Sequence, residues 1–92
     1  MTRVRVSVTA EDIAQGTPYH SWGCPIAIAM TRALGHPVGV DEKWCWFVEK
    51  EGDVRHLHGL PEAVQAFVRA YDQQQPVAPF SFTVFTVTAE EH

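Results

Sequence analysis

The sequence predicts a two-layer α+β sandwich in a single domain spanning 1–92, with element order β-α-β-β-α-β. Two helices cover one face of an antiparallel or mixed sheet. Three observations carry this. Val4, Val6 and Val8 alternate with Arg3, Arg5, Ser7 and Thr9, the period of two of a half-buried strand. The stretch from Cys24 to Gly35 reads as a short helix with its own start and stop. Val64, Phe67, Val68 and Tyr71 fall at i, i+3, i+4 and i+7, one apolar stripe of a second helix. The order matches the ferredoxin-like split β-α-β plan.

After the first strand, Thr9-Ala10-Glu11-Asp12 has the form of a capping box, with Asp as the shortened acidic partner. It predicts an extra helical turn over about 10–15, ended by Gly16. A loop follows to Gly23. Pro25 then suits the first helical position, because it has no amide to lose there and its φ is already helical. Gly35 suits the left-handed residue that closes the helix. Pro37 and Gly39 read as chain breakers. Trp44 to Glu49 is rich in β-formers and reads as a strand, Glu51-Gly52-Asp53 as a turn, and Val54 to His58 as the returning strand. The second main helix starts at Pro61, and Pro76 and Pro79 stop its continuation. Phe80 to Thr88 reads as the last strand. Its Phe80, Phe82 and Val84 lie on one face and Phe85 and Val87 on the other, which places it inside the sheet. Residues 89–92 form a polar tail.

Composition bounds the function. The chain has 92 residues, 46% hydrophobic and 20% charged, which is enough apolar material for one core without staples. Seven basic and eleven acidic side chains leave a formal charge of −4. That argues against general nucleic-acid binding, which needs clustered Lys and Arg. Two cysteines make no disulfide framework. No segment has the length of a signal peptide core or a membrane span, so the expectation is a cytoplasmic protein with free thiols and no membrane contact. Nothing in the sequence calls for a cofactor.

Four groups of residues are candidates for chemistry. Cys24 stands at a helix N-terminus, where unpaired N–H groups favour a thiolate. With His20, His36, His56 or His58 as base it would be a nucleophile. The plainer reading is a small helix cap beside proline. His56 and His58 are spaced to share a strand face and are a usable pair of metal ligands, with Cys24, Cys45, His20 or Asp53 to complete a site. Here the plainer reading is a solvated strand face. Trp44 and Trp46 share a face opposite Cys45 and Phe47. A two-layer fold has one internal sheet face, so one of these pairs faces outward, and an outward indole pair is a protein-binding or base-stacking surface. The loop carrying Tyr19, His20 and Trp22 leads into the Cys24 helix, and helix N-termini bind anions, so a small phosphorylated ligand or nucleotide is the fourth possibility.

Val6-x-Val8-Thr9-x-Glu11-Asp12-Ile13-x-x-Gly16, Cys24-Pro25-Ile26-Ala27-x-Ala29, Leu60-Pro61 and Pro76-Val77-x-Pro79-Phe80-x-Phe82 together resemble a group of small phage-encoded proteins of the actinobacterial phage type. The resemblance covers most of the chain, but its motifs are structural, and the group carries no known activity. Many members have a second cysteine three residues before the Cys-Pro. Ser21 holds that position here, which counts against a two-thiol function. The resemblance implies an accessory role inside the host cell. The expected function is therefore a non-enzymatic binding module for a host protein, with its contact surface on Tyr19, His20, Trp22, Trp44 and Trp46. The alternatives are a small-ligand or nucleotide binder at the loop, and a thiol enzyme built on Cys24. A homodimer paired through a sheet edge or the Arg3/Arg5 face is compatible with each.

Overall fold

The computed structural model describes residues 2–48 and 55–86. Over these the chain is mixed α+β: β1 (Thr2–Val8), α1 (Ala10–Gln15), α2 (Pro25–Leu34), β2 (Val38–Val40), β3 (Trp44–Val48), β4 (Arg55–Gly59), α3 (Glu62–Asp72) and β5 (Phe80–Thr86). The expected turn at 51–53, the strand residues Glu49, Val54, Val87 and Thr88 and the tail at 89–92 lie outside the described residues.

The single four-stranded sheet expected from the ferredoxin-like order is not what forms among the described residues. β1 pairs antiparallel with β5, and β2, β3 and β4 make a separate antiparallel sheet. The sequence reading missed β2. It is three residues long and has a glycine at its centre, which reads locally as a break. Gly39 is needed there because the Trp46 ring occupies the space where its Cβ would be, 2.4 Å from Cε2. β5 also differs from expectation. Phe82 and Val84 are buried on its inner face, but Phe85 on the other face is 53% exposed. Its two apolar faces are therefore one core face and one outward aromatic, and among the described residues β5 pairs with β1 alone.

Local signals in the first third fold as written. Thr9 caps α1: its Oγ1 accepts the Asp12 N–H, and the Asp12 carboxylate accepts the Thr9 N–H. Cys24 caps α2 with its sulfur, Pro25 takes the first turn, and Gly35 closes the helix at φ 81°. Arg32 on α2 reaches back to Asp12 with two parallel bonds of 2.8 Å, and its Nη2 also donates to the Ser7 carbonyl at 2.9 Å. One guanidinium thus ties β1, α1 and α2 together. A bidentate charge-assisted pair fixes direction as well as distance.

The core lies between α2, α3 and the inner faces of both sheets. Val6 and Val8 meet Ile26 and Met30, while Val38, Val40, Cys45 and Phe47 come from the second sheet. Val64, Phe67 and Val68 of α3 join the same core, and Tyr71, at the end of the stripe, is half-buried and donates its hydroxyl to the Ile13 carbonyl at 3.0 Å. Phe67 also contacts Phe80, which stacks on Phe82. α2 packs on both β1 and β2, so the outer faces of the two sheets look away from the same helix. No helix among the described residues is long and apolar enough to cross a membrane.

Candidate functional site

Alternation along β3 decides which side chains leave the core. Cys45 and Phe47 are 1% and 2% exposed and face inward. Trp44 and Trp46 therefore lie on the outer face, where Trp44 is 46% exposed and Trp46 half-buried. Each indole sits over a glycine on a neighbouring strand. Trp46 pairs with Gly39 on β2 and Trp44 with Gly59 on β4. Glycine leaves room for a ring to lie on the backbone, so a flat aromatic surface forms where side chains would otherwise stand up.

Trp22 completes this surface from the loop. Its ring meets Trp46 edge-on, with centroids 6.0 Å apart and planes at 88°, a favoured geometry because the positive ring edge meets the negative face. The loop is held by its backbone. Ser21 O accepts from Val40 N–H at 2.8 Å, which lays the loop along the edge of β2. His20 O accepts from both Gly23 and Cys24, and Thr17 N–H donates to Gly23 O. The exposed His20 ring lies against Gly23.

The five expected contact residues do not form one cluster. Trp22, Trp44 and Trp46 share the outer face of β2–β3–β4. Tyr19 is 77% exposed but is anchored elsewhere: its N–H donates at 2.8 Å to the Asp72 carboxylate at the end of α3. Tyr19 holds φ 57°, an uncommon conformation for a residue with a side chain. Sequence reasoning missed Phe85 as an outward aromatic. The usable signal was its register, since it stands opposite Arg3, whose strand alternation already marked the outer face.

Cys24 is 4% exposed, and its sulfur accepts the Ala27 N–H at 3.4 Å. Burial raises its pKa, and this outweighs the lowering by the Ala27 and Ile26 backbone N–H groups. The helix-terminus argument for an acidic thiol is therefore corrected: desolvation wins over N–H donation at this site. Burial also pushes the Cys45 thiol up, to about 11. The same cap bears on the anion site expected at the α2 N-terminus. Pro25 has no N–H to offer, Cys24 holds the Ala27 N–H, and Gly16 packs directly on the Pro25 ring.

β4 places His56 opposite Phe47 and His58 opposite Cys45 in register. Their side chains, and Asp53, lie outside the described residues. Among the described residues no three His, Cys, Asp or Glu side chains come together as metal ligands. His36 packs on Phe47, with ring centroids 4.9 Å apart.

No protein-family model matches the chain, and no curated protein or solved structure is significantly similar to it.

Proposed function

We propose that this chain is a non-enzymatic binding module that engages another protein through the outer face of β2–β3–β4. The observation that carries this is the set of three indoles turned outward on a fixed backbone, two of them about half exposed. Tryptophan is the residue most enriched where binding energy concentrates, because one ring buries a large area with few torsions to freeze. Here the rings are held before any partner arrives, by the glycine bed beneath them and by the Ser21–Val40 hydrogen bond. That lowers the ordering cost of association. The resemblance to phage proteins makes the partner a protein of the bacterial host, met in its cytoplasm.

The thiol-enzyme reading has less support, because Cys24 is a buried cap with a raised pKa. The nucleotide reading has less as well, because the chain itself closes the α2 N-terminus.

The test is affinity capture from an actinobacterial lysate on immobilised protein, with Trp44→Ala as the matched control. Trp44 contributes little to the core, so the variant retains the fold, as its circular dichroism should confirm. A host protein held by the natural chain and lost to Trp44→Ala is expected. Identical recovery on both baits, or none on either, refutes the proposal.

A further inference from the structure

The indole face does not end at β4. A cleft of about 310 Å³ separates β4 from β5, lined by Gly59, Leu60, Pro61, Thr83, Val84 and Phe85. The Trp44 ring borders it from one side, since a Cβ on Gly59 would stand 3.6 Å from that ring. Phe85, 53% exposed, borders it from the other. Beyond Phe85 comes β1, whose register sets Arg3 beside Phe85 and Arg5 beside Thr83. Both arginines are exposed, and neither makes an ion pair among the described residues. Arg32, by contrast, is engaged by Asp12 and by the Ser7 carbonyl.

Resting on the binding-module reading above, we propose that the partner presents an extended peptide segment of two parts: an apolar part that lies on Trp44 and Phe85 across the cleft, and carboxylates that reach Arg3 and Arg5. Charge fixes the direction. Asp41 and Glu42 are exposed at the Trp44 end of β3 with Lys43 beside them, which leaves that end net acidic, while Arg3 and Arg5 make the β1 end basic. Arg3 and Arg5 are two residues apart on one strand face, which matches acidic residues at alternate positions of an extended ligand. Guanidinium groups bind carboxylates through two parallel bonds, and this recognises the side chain as well as the charge. Single-stranded nucleic acid fits the charge pattern less well. It carries a phosphate at every nucleotide and would bring some of them against Asp41 and Glu42.

The experiment is a selection from a random dodecapeptide display library on the full chain. Recovered peptides are then titrated by fluorescence anisotropy against the natural protein, Trp44→Ala and the double variant Arg3→Glu, Arg5→Glu. The expected result is a recovered set with a net negative charge at one end beside an aromatic or aliphatic half. Affinity should fall about tenfold or more in the arginine variant, since like charges are brought together, and should weaken with added salt. Peptides that depend on Trp44 but are neutral or basic, or are indifferent to the arginine reversal, overturn this inference and leave the indole reading standing. Peptides indifferent to Trp44, or no recovered peptides, overturn both. Tighter binding of a thymidine dodecanucleotide than of any peptide also overturns the inference.

Discussion

Replacing Gly39 with alanine drives a methyl group into the Trp46 indole. The new Cβ would stand 2.4 Å from Cε2, 2.5 Å from Nε1 and 2.6 Å from Cζ2. The ring has to move, and Trp22 leans on that ring from the loop. Overpacking of this kind costs about 1–3 kcal/mol. Losing the edge-on contact with Trp22 adds about 1 kcal/mol. Alanine returns about 0.5–1 kcal/mol, because it has less backbone freedom than glycine to lose in a strand. The net expectation is a loss of about 2 kcal/mol, or a Tm lower by roughly 10 °C for a chain of this size. Gly59→Ala provides the contrast. It is also a strand glycine facing an indole, but its Cβ would meet Trp44 at 3.6 Å, an ordinary contact. Only the backbone gain remains, so this variant should be more stable than the natural chain by about 0.5 kcal/mol. Urea unfolding followed by fluorescence gives both free energies, and near-ultraviolet circular dichroism reports the Trp22–Trp46 pair. The reasoning fails if Gly39→Ala keeps natural stability and an unchanged aromatic spectrum, or if Gly59→Ala is the weaker of the two.

Three further outcomes follow from buried groups. Asp12 is 3% exposed, and its pKa is lowered, first by the hydrogen bonds from Arg32, despite the opposing effect of burial. The unfolded chain therefore takes up the proton first, and the stability this carboxylate supplies is present above pH 3.8 and lost as pH falls toward its lower native value. Asp12→Asn should lower stability by about 2 kcal/mol at neutral pH, since a charge-assisted bond is lost while Arg32 retains solvent, and should flatten the acid limb of an unfolding-versus-pH series; an unchanged limb refutes the assignment. Neither thiol is acidic or accessible, so iodoacetamide at pH 7 should modify Cys24 and Cys45 slowly in the native protein and rapidly in urea, read by intact mass. Rapid native labelling of Cys24 alone would restore the case for a thiol nucleophile. The raised Cys45 pKa also predicts declining stability in urea unfolding as pH rises from 9.0 toward about 11, because the thiol of the unfolded chain ionises first while the buried one stays neutral.

What could be read from the sequence was local. Thr9 with Asp12, Pro25 with Gly35, and the valine alternation of β1 each specify their geometry within a few residues, and each appears in the structure. On β3, alternation paired Trp44 with Trp46 and Cys45 with Phe47 but left open which pair faces inward; the burial of Cys45 and Phe47 decides it. Partnership between distant segments was not written in this way. Gly39 reads as a break until the Trp46 ring is known to lie on it, seven residues away. The division into two sheets depends on the gap between β4 and β5, which no local pattern encodes. For Cys24, a local rule gave the wrong sign because it counted the N–H groups of the helix start but not the core packed around the sulfur.

The β1–β5 pairing joins residues 2–8 to residues 80–86, so the first strand described is completed by the last one described. On the ribosome, β1, α1 and α2 can gather around the Arg32–Asp12 link as soon as they emerge. The β5 side of β1 then stays open until residue 86 has left the exit tunnel. Until then the backbone N–H and C=O groups along that edge of β1 lack their partners, and an open strand edge is what a chaperone would have to shield.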